Sequence, residues 1–291
     1  MPVSNVVPLT PPGEAFLARR MLAQDAEGPA LEMIEALPKS GAVRPPILFV
    51  HGAFGGAWTW AEILMPYLAR RGRASTAFSL RGHGASKGRE SLRETRLDDY
   101  LADLRRVLRN FDEPPVIVAH SLGGLFEQRL LGRVSMRGLV LMASLPPEGL
   151  LFVGPRLALT DPMIWLEALA GSAAGKRQPI VAANHRILFS EGLPPETAAR
   201  YAGRMTPEAP AALADAHVPA PIASAAFVGV PTLVLGGTDD RLVWRPSTLR
   251  TALYHGAGHR TFEGLGHYLH LDIGAEGVAR TIVDWLDEKA L

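Results

Sequence analysis

Two kinds of apolar pattern divide this chain. Ile47 to Val50, Val116 to Ala119, Leu139 to Met142 and Thr232 to Leu235 are short, nearly unbroken apolar runs. Runs of that length bounded by Gly and Pro predict strands buried on both faces. Between them the period changes. Leu97, Tyr100, Leu101, Leu104, Val107, Leu108 and Phe111 recur every three or four positions, the mark of a helix with one apolar face. Leu64, Tyr67 and Leu68, the stretch Leu122 to Leu131, Ser247 to Tyr254, and Val278, Ile282, Trp285 and Leu286 predict further helices, and Ser75 to Leu80 and Arg260 to Phe262 further strands. Strands alternating with helices predict βαβ crossovers and a mostly parallel sheet, an α/β fold.

From Pro146 to about Ala226 the alternation stops, and eleven prolines separate short helix-like pieces. One piece starts at Asp161-Pro162, a good N-cap and first-turn pair, and carries Met163, Ile164, Trp165, Leu166 and Leu169. The expectation is a core formed by residues 1–145 and 227–291 with a cap inserted at 146–226. Residues 1–45 are expected to be an N-terminal extension leading into the sheet.

Composition narrows the class of function. Lys and Arg number 30 against 29 Asp and Glu, so no excess positive charge favours nucleic acid or an anionic membrane. With no cysteine, disulfides, a catalytic thiol and thiolate metal sites are excluded. The N-terminus, with its valines broken by Pro and Ser, lacks the pattern of a signal peptide, and no apolar stretch has transmembrane length. The expectation is a cytoplasmic protein without integral membrane association. No H-E-x-x-H spacing occurs among the histidines, so neither metal nor cofactor is expected.

The chemistry gathers at the ends of the predicted strands. In Val116-Ile117-Val118-Ala119-His120-Ser121-Leu122-Gly123-Gly124 a strand ends at a serine and a helix begins at once. Such a turn needs small residues two before and two after the serine, and Ala119 and Gly123 supply them. A glycine-rich loop, His51-Gly52-Ala53-Phe54-Gly55-Gly56-Ala57-Trp58, follows another buried strand. Leu233-Val234-Leu235 runs into Gly236-Gly237-Thr238-Asp239-Asp240, and Gly264-Leu265-Gly266-His267 comes near the C-terminus.

Together with Arg81-Gly82-His83-Gly84-Ala85-Ser86, these segments resemble the motifs of the α/β-hydrolase superfamily in the family's own order. The resemblance runs from about Pro46 to the end, the insertion excepted. It implies Ser121 as nucleophile, Asp240 as the orienting carboxylate by a G-x-x-D spacing that selects it over Asp239, and His267 as base in preference to His255, His259 and His270. It also implies an oxyanion hole built from the N–H groups of Ala53 and Leu122. His51 and His83 are expected to hold their loops.

A serine nucleophile argues against dehalogenase and epoxide-hydrolase chemistry, for which the family places Asp there. The expectation is a serine esterase acting on a small-molecule carboxylic ester, with Phe54, Met163 and Trp165 as candidate substrate-binding residues. A carbon–carbon bond hydrolase, a hydroxynitrile-lyase-type enzyme or a non-catalytic ligand receptor would carry the same residues.

Overall fold

The computed structural model describes residues 1–10, 13–163 and 187–291. Among these residues nine strands form one sheet in the order β1-β2-β3-β5-β4-β6-β7-β8-β9. They are β1 Val3–Pro8, β2 Phe16–Ala23, β3 Leu31–Pro38, β4 Val43–Val50, β5 Arg73–Phe78, β6 Val116–His120, β7 Gly138–Met142, β8 Thr232–Gly237 and β9 Gly258–Phe262. From β5 through β9 the neighbours are parallel, while β1, β2, β3 and β5 pair antiparallel.

The central strands form continuous apolar runs because both faces are covered. Leu48, Val50, Ile117 and Leu141 pack on one side with Leu104 and Leu108 of α3 (Leu97–Leu108) and with Leu125 and Phe126 of α4 (Leu122–Leu130). Ile47, Phe49, Val118 and Val140 pack on the other with Leu64 and Leu68 of α2 (Leu64–Arg70). The short helix α1 (Trp58–Ala61) contributes Trp60, which stacks on Phe49 at 4.7 Å. Asp99 ties down the start of α3 by accepting the Arg96 N–H at 2.8 Å, and Asp98 and Asp99 complement the helix dipole there.

The chain leaves β4 towards β5 on one side and returns past it to β6 on the other. That reversal opens a crevice at the carboxyl ends of β4 and β6, the place where open α/β sheets bind their ligands. Val50 pairs with Ala119, so the glycine loop and Ser121 emerge side by side. Between β7 and β8 run α5 (Val153–Thr160), α6 (Pro195–Ala202) and α7 (Pro210–Ala216), and after β8 come α8 (Arg245–His255) and α9 (Ala275–Glu288). A third apolar cluster, including Trp58, Phe189, Tyr201 and Tyr268, joins the segment after residue 186 to the loops above the sheet.

Residues 1–45 hold three strands of the sheet itself, where the sequence pattern pointed only to an extension leading into it. β1 is exposed at every position, and β2 has no clean alternation because its outer face is partly solvated. In β3 the buried Glu32 breaks the apolar run, and it is accommodated by the Ser79 hydroxyl at 2.7 Å and the Ala85 N–H at 3.0 Å. β5 ends at Phe78, short of the expected Leu80, because the Leu80 N–H donates to His51 Nε2 at 3.0 Å. The helix expected from Asp161 onward lies largely outside the described residues.

Ile282 of α9 is fully buried against the sheet, so Ile282→Ala is expected to lower the unfolding free energy by about 2–5 kcal/mol. Leu253 on α8 is 73% exposed, and Leu253→Ala is expected to change it by less than about 0.5 kcal/mol. Urea unfolding of both variants checks the pair.

Candidate active site

Ser121 stands between β6 and α4 with φ 51° and ψ −117°. Few residues with a side chain tolerate a positive φ, and here close packing imposes it. A Cβ on Gly123 would lie 2.4 Å from the His51 carbonyl oxygen, and one on Gly52 would lie 2.8 Å from the Ser121 Cβ. The glycine loop and the start of α4 therefore touch through backbone, and Ser121 is lifted into the crevice between them. It is 8% exposed.

His267 comes from the loop after β9. Its Nε2 lies 2.9 Å from Ser121 Oγ and its Nδ1 lies 2.9 Å from Asp240 Oδ2. With Nδ1–H donating to the carboxylate, Nε2 is left to accept the serine hydroxyl. Asp240 Oδ1 in turn accepts the N–H groups of Leu242 and Val243, each at 2.8 Å, so the carboxylate is buried with both oxygens satisfied. Asp239 is exposed, and among the described residues it accepts only its neighbour's hydroxyl, Thr238 Oγ1, at 3.1 Å. The structure thus brings Ser121, His267 and Asp240 into one hydrogen-bonded chain and leaves Asp239 outside it.

Two further loops brace this chain. Thr238 donates its N–H to the Phe262 carbonyl and accepts the Gly264 N–H at 2.8 Å, which stitches the acid turn to the histidine loop. Asp272 accepts the Gly266 N–H at 2.9 Å and both the N–H and hydroxyl of Ser190, fixing the residue before His267 to the segment above it. Tyr268 donates its hydroxyl to the Ala53 carbonyl at 2.9 Å. Asp272 and Tyr268 escaped sequence reasoning. Their nearness to His267 in the chain was the only available signal.

Among the described residues, the N–H groups of Ala53 and Leu122 donate to no protein acceptor. His51 Nδ1 contacts the Gly52 carbonyl at 2.7 Å, and the Gly55 N–H donates to the same oxygen at 3.3 Å, so the peptide carrying the Ala53 N–H is held in place. Phe54 is half-buried in this loop. Met163 is 61% exposed, and Trp165 lies outside the described residues.

Beneath the triad lies a layer of buried imidazoles. His120 Nε2–H donates to the His267 carbonyl at 3.0 Å, and the ring of His270 stacks on Trp60 at 4.1 Å. Burial, reinforced by neighbouring histidines, holds His120 and His270 well below the ordinary imidazole range and lowers His51 to about 3. These rings stay neutral, so positive charge developing on His267 would meet no neighbouring cation among them. His83 holds its loop from the buried side, near Glu208. Among the described residues no cluster of three or more His, Asp or Glu is arranged to hold a metal ion. No helix among them is long and apolar enough to cross a membrane.

A tight serine turn at the strand–helix junction, a hydrogen-bonded Ser-His-Asp chain and, among the described residues, free amides at Leu122 and in the adjoining glycine loop are the features of a hydrolase-type site on a doubly wound sheet. Residues 47–281 match the model of the alpha/beta hydrolase family, and the chain belongs to that family. It is 40% identical over 80 residues to Methylesterase 9 of Arabidopsis thaliana, a stretch that covers 27% of this chain and 30% of that protein. Among solved structures, it resembles a putative aryl esterase from Burkholderia cenocepacia, with a TM-score of 0.66 and 21% identity, covering 94% of this chain and 99% of that one. It also resembles the putative non-heme bromoperoxidase BpoC of Mycobacterium tuberculosis H37Rv, with a TM-score of 0.71 and 17% identity, covering 91% and 98% respectively. At such identities the two structures establish the shared fold.

His51, His120, His255 and His270 carry a pH dependence whose sign follows from their burial. Folded-state pKa values below the unfolded value of about 6.5 mean that, as pH falls below 6.5, the unfolded chain binds protons that the folded chain does not. Stability is then complete above 6.5 and is lost on acidification, by up to about 1.4 kcal/mol per pH unit for each ring that stays neutral. His51, His120 and His270 act in this sense, as does His255, lowered to about 4 by burial. Urea unfolding at pH 7 and pH 5 is expected to give a clearly lower unfolding free energy at pH 5, and equal values would contradict the neutral-ring description.

Proposed function

We propose that this protein is a serine hydrolase that cleaves a carboxylic ester of a small, largely apolar substrate through an acyl-enzyme on Ser121. The observation that carries the reading is the chain from Ser121 through His267 to Asp240, set beside the free N–H groups of Ala53 and Leu122. A serine hydroxyl is too weak an acid to attack a carbonyl unaided, so a neutral imidazole must take its proton.

In the proposed first step Ser121 Oγ attacks the ester carbonyl carbon while its proton passes to His267 Nε2. The carbonyl oxygen becomes an oxyanion facing the N–H groups of Ala53 and Leu122. Preorganised backbone donors stabilise that charge without reorganising at the moment of reaction. Asp240 holds the imidazole in the required tautomer and stabilises it once charged. Collapse breaks the bond to the leaving alcohol, which receives the proton from His267. Water then attacks the acyl group by the same proton route, releasing the carboxylic acid and restoring Ser121.

The fold does not choose among the reactions of this family, since the two structural neighbours are named for different activities. Support for an ester comes from the relative named as a methylesterase, which matches only a part of its own length. We further propose that 146–226 forms a cap over the crevice and that Phe54, from the glycine loop, gives the substrate site an apolar wall. Met163 and Trp165 belong to that proposed cap.

Turnover of a short-chain aryl ester tests the roles. Ser121→Ala is expected to abolish it, and Asp240→Asn to lower kcat by about 10⁴-fold, because an amide favours the wrong imidazole tautomer. Asp239→Asn is expected to stay within about threefold of the parent. A wild-type protein inert towards esters, or an Asp239→Asn variant more crippled than Asp240→Asn, contradicts the assignment.

A further inference from the structure

Phe54, next to the Ala53 amide, has φ 64°, a strained conformation for a residue with a side chain. Its surroundings clamp it. The Ala53 carbonyl accepts the Tyr268 hydroxyl at 2.9 Å, the Phe54 N–H donates to Glu208 Oε2 at 3.2 Å, and the Phe54 carbonyl accepts the Thr206 N–H at 3.0 Å. Two of these three bonds come from Thr206-Pro207-Glu208, a segment within the proline-rich insertion and far from the loop in sequence.

Glu208 is buried, and both of its carboxylate oxygens accept hydrogen bonds. Oε1 accepts the Tyr100 hydroxyl at 2.6 Å and the Ala209 N–H at 2.8 Å, while His83 Nε2 stands 3.2 Å from Oε2, off the line of a good hydrogen bond. Burial by itself would raise the carboxyl pKa, but His83 and the hydrogen bonds from Tyr100 and Ala209 outweigh it and hold it down to about 2. For His83, burial would lower the pKa, and the Glu208 carboxylate outweighs that and raises it. The two form a buried ion pair under the oxyanion loop.

We propose that Glu208 is a positioning residue for the oxyanion hole: by holding the Phe54 N–H it locks the Ala53–Phe54 peptide and keeps the Ala53 N–H aimed at the reacting carbonyl. This inference rests on the esterase reading of the site. The peptide before Ala53 is already held by His51 and Gly55, so fixing the one after it removes the remaining freedom at Ala53. Docking of the inserted segment and assembly of the hole become one event, because Glu208 and Thr206 reach the loop only when their segment is packed down.

Glu208→Gln is the informative change because it is nearly isosteric. Tyr100 and Ala209 both donate, so they retain the amide oxygen and turn the NH₂ group towards the Phe54 N–H, donor against donor. The clamp is lost while the volume is kept. Removing one oxyanion donor costs about 100-fold or more in kcat, and a misaimed donor is expected to approach that loss, with KM within about threefold of the parent. Amide hydrogen exchange in the loop 52–56 is expected to accelerate in the same variant.

Val107→Ala, which opens the core on the neighbouring α3, serves as the destabilised control and should leave both kcat and loop exchange near the parent values. Loop exchange unchanged by Glu208→Gln overturns the proposal. So does faster exchange with an unchanged kcat, or an equal fall in kcat in Val107→Ala. If the wild-type protein turns over no ester, the esterase reading falls and with it the catalytic part of this inference, and loop exchange alone then decides whether Glu208 is a clamp.

Discussion

Ser121 occupies backbone angles that cost energy, and the architecture around the crevice is what holds it there. β4 and β6 must lie side by side for the glycine loop to reach the serine. Gly52 and Gly123 must lack side chains for the loop and helix α4 to touch. An alanine at Gly123 would drive its methyl group into the His51 carbonyl, separating the loop from the helix and moving Leu122 and Ala53 apart. The geometry of the proposed hole and the placement of the serine are thus two aspects of one close backbone approach.

Around that contact each buried charge is matched, and His51, His120 and His270 are kept neutral. Asp240, Asp272 and Glu208 all take hydrogen bonds on both oxygens, which is what allows carboxylates to lie so deep. Their partners come from separate loops: the acid turn, the histidine loop, the segment near Ser190 and the glycine loop. The carboxylates therefore act as cross-links between loops that share no secondary structure. His51, His120 and His270 fill space beside them without adding charge.

The central sheet was legible in the sequence because parallel strands covered on both faces leave uninterrupted apolar runs, as at Ile47 to Val50 and Val116 to Ala119. The N-terminal strands left no such trace. β1 is solvent-exposed throughout, and β3 buries a glutamate whose partners, Ser79 and Ala85, are distant in sequence. At the site, Ser121, Asp240 and His267 stand in short motifs whose spacing reflects local turns, so they could be singled out. Asp272, Tyr268 and Glu208 owe their places to long-range packing. Glu208 in particular sits in a proline-rich stretch whose pattern suggested only an apolar cap.

The central claim is that Ser121 carries the acyl group during turnover. Acid-quenching the protein within its first turnovers of an aryl ester, followed by mass spectrometry of its peptides, reads this directly. The account predicts the mass of the acyl group on the peptide containing Ser121, and no modified peptide in Ser121→Ala. Rapid ester turnover with the acyl group on another residue, or turnover that survives in Ser121→Ala, would contradict it.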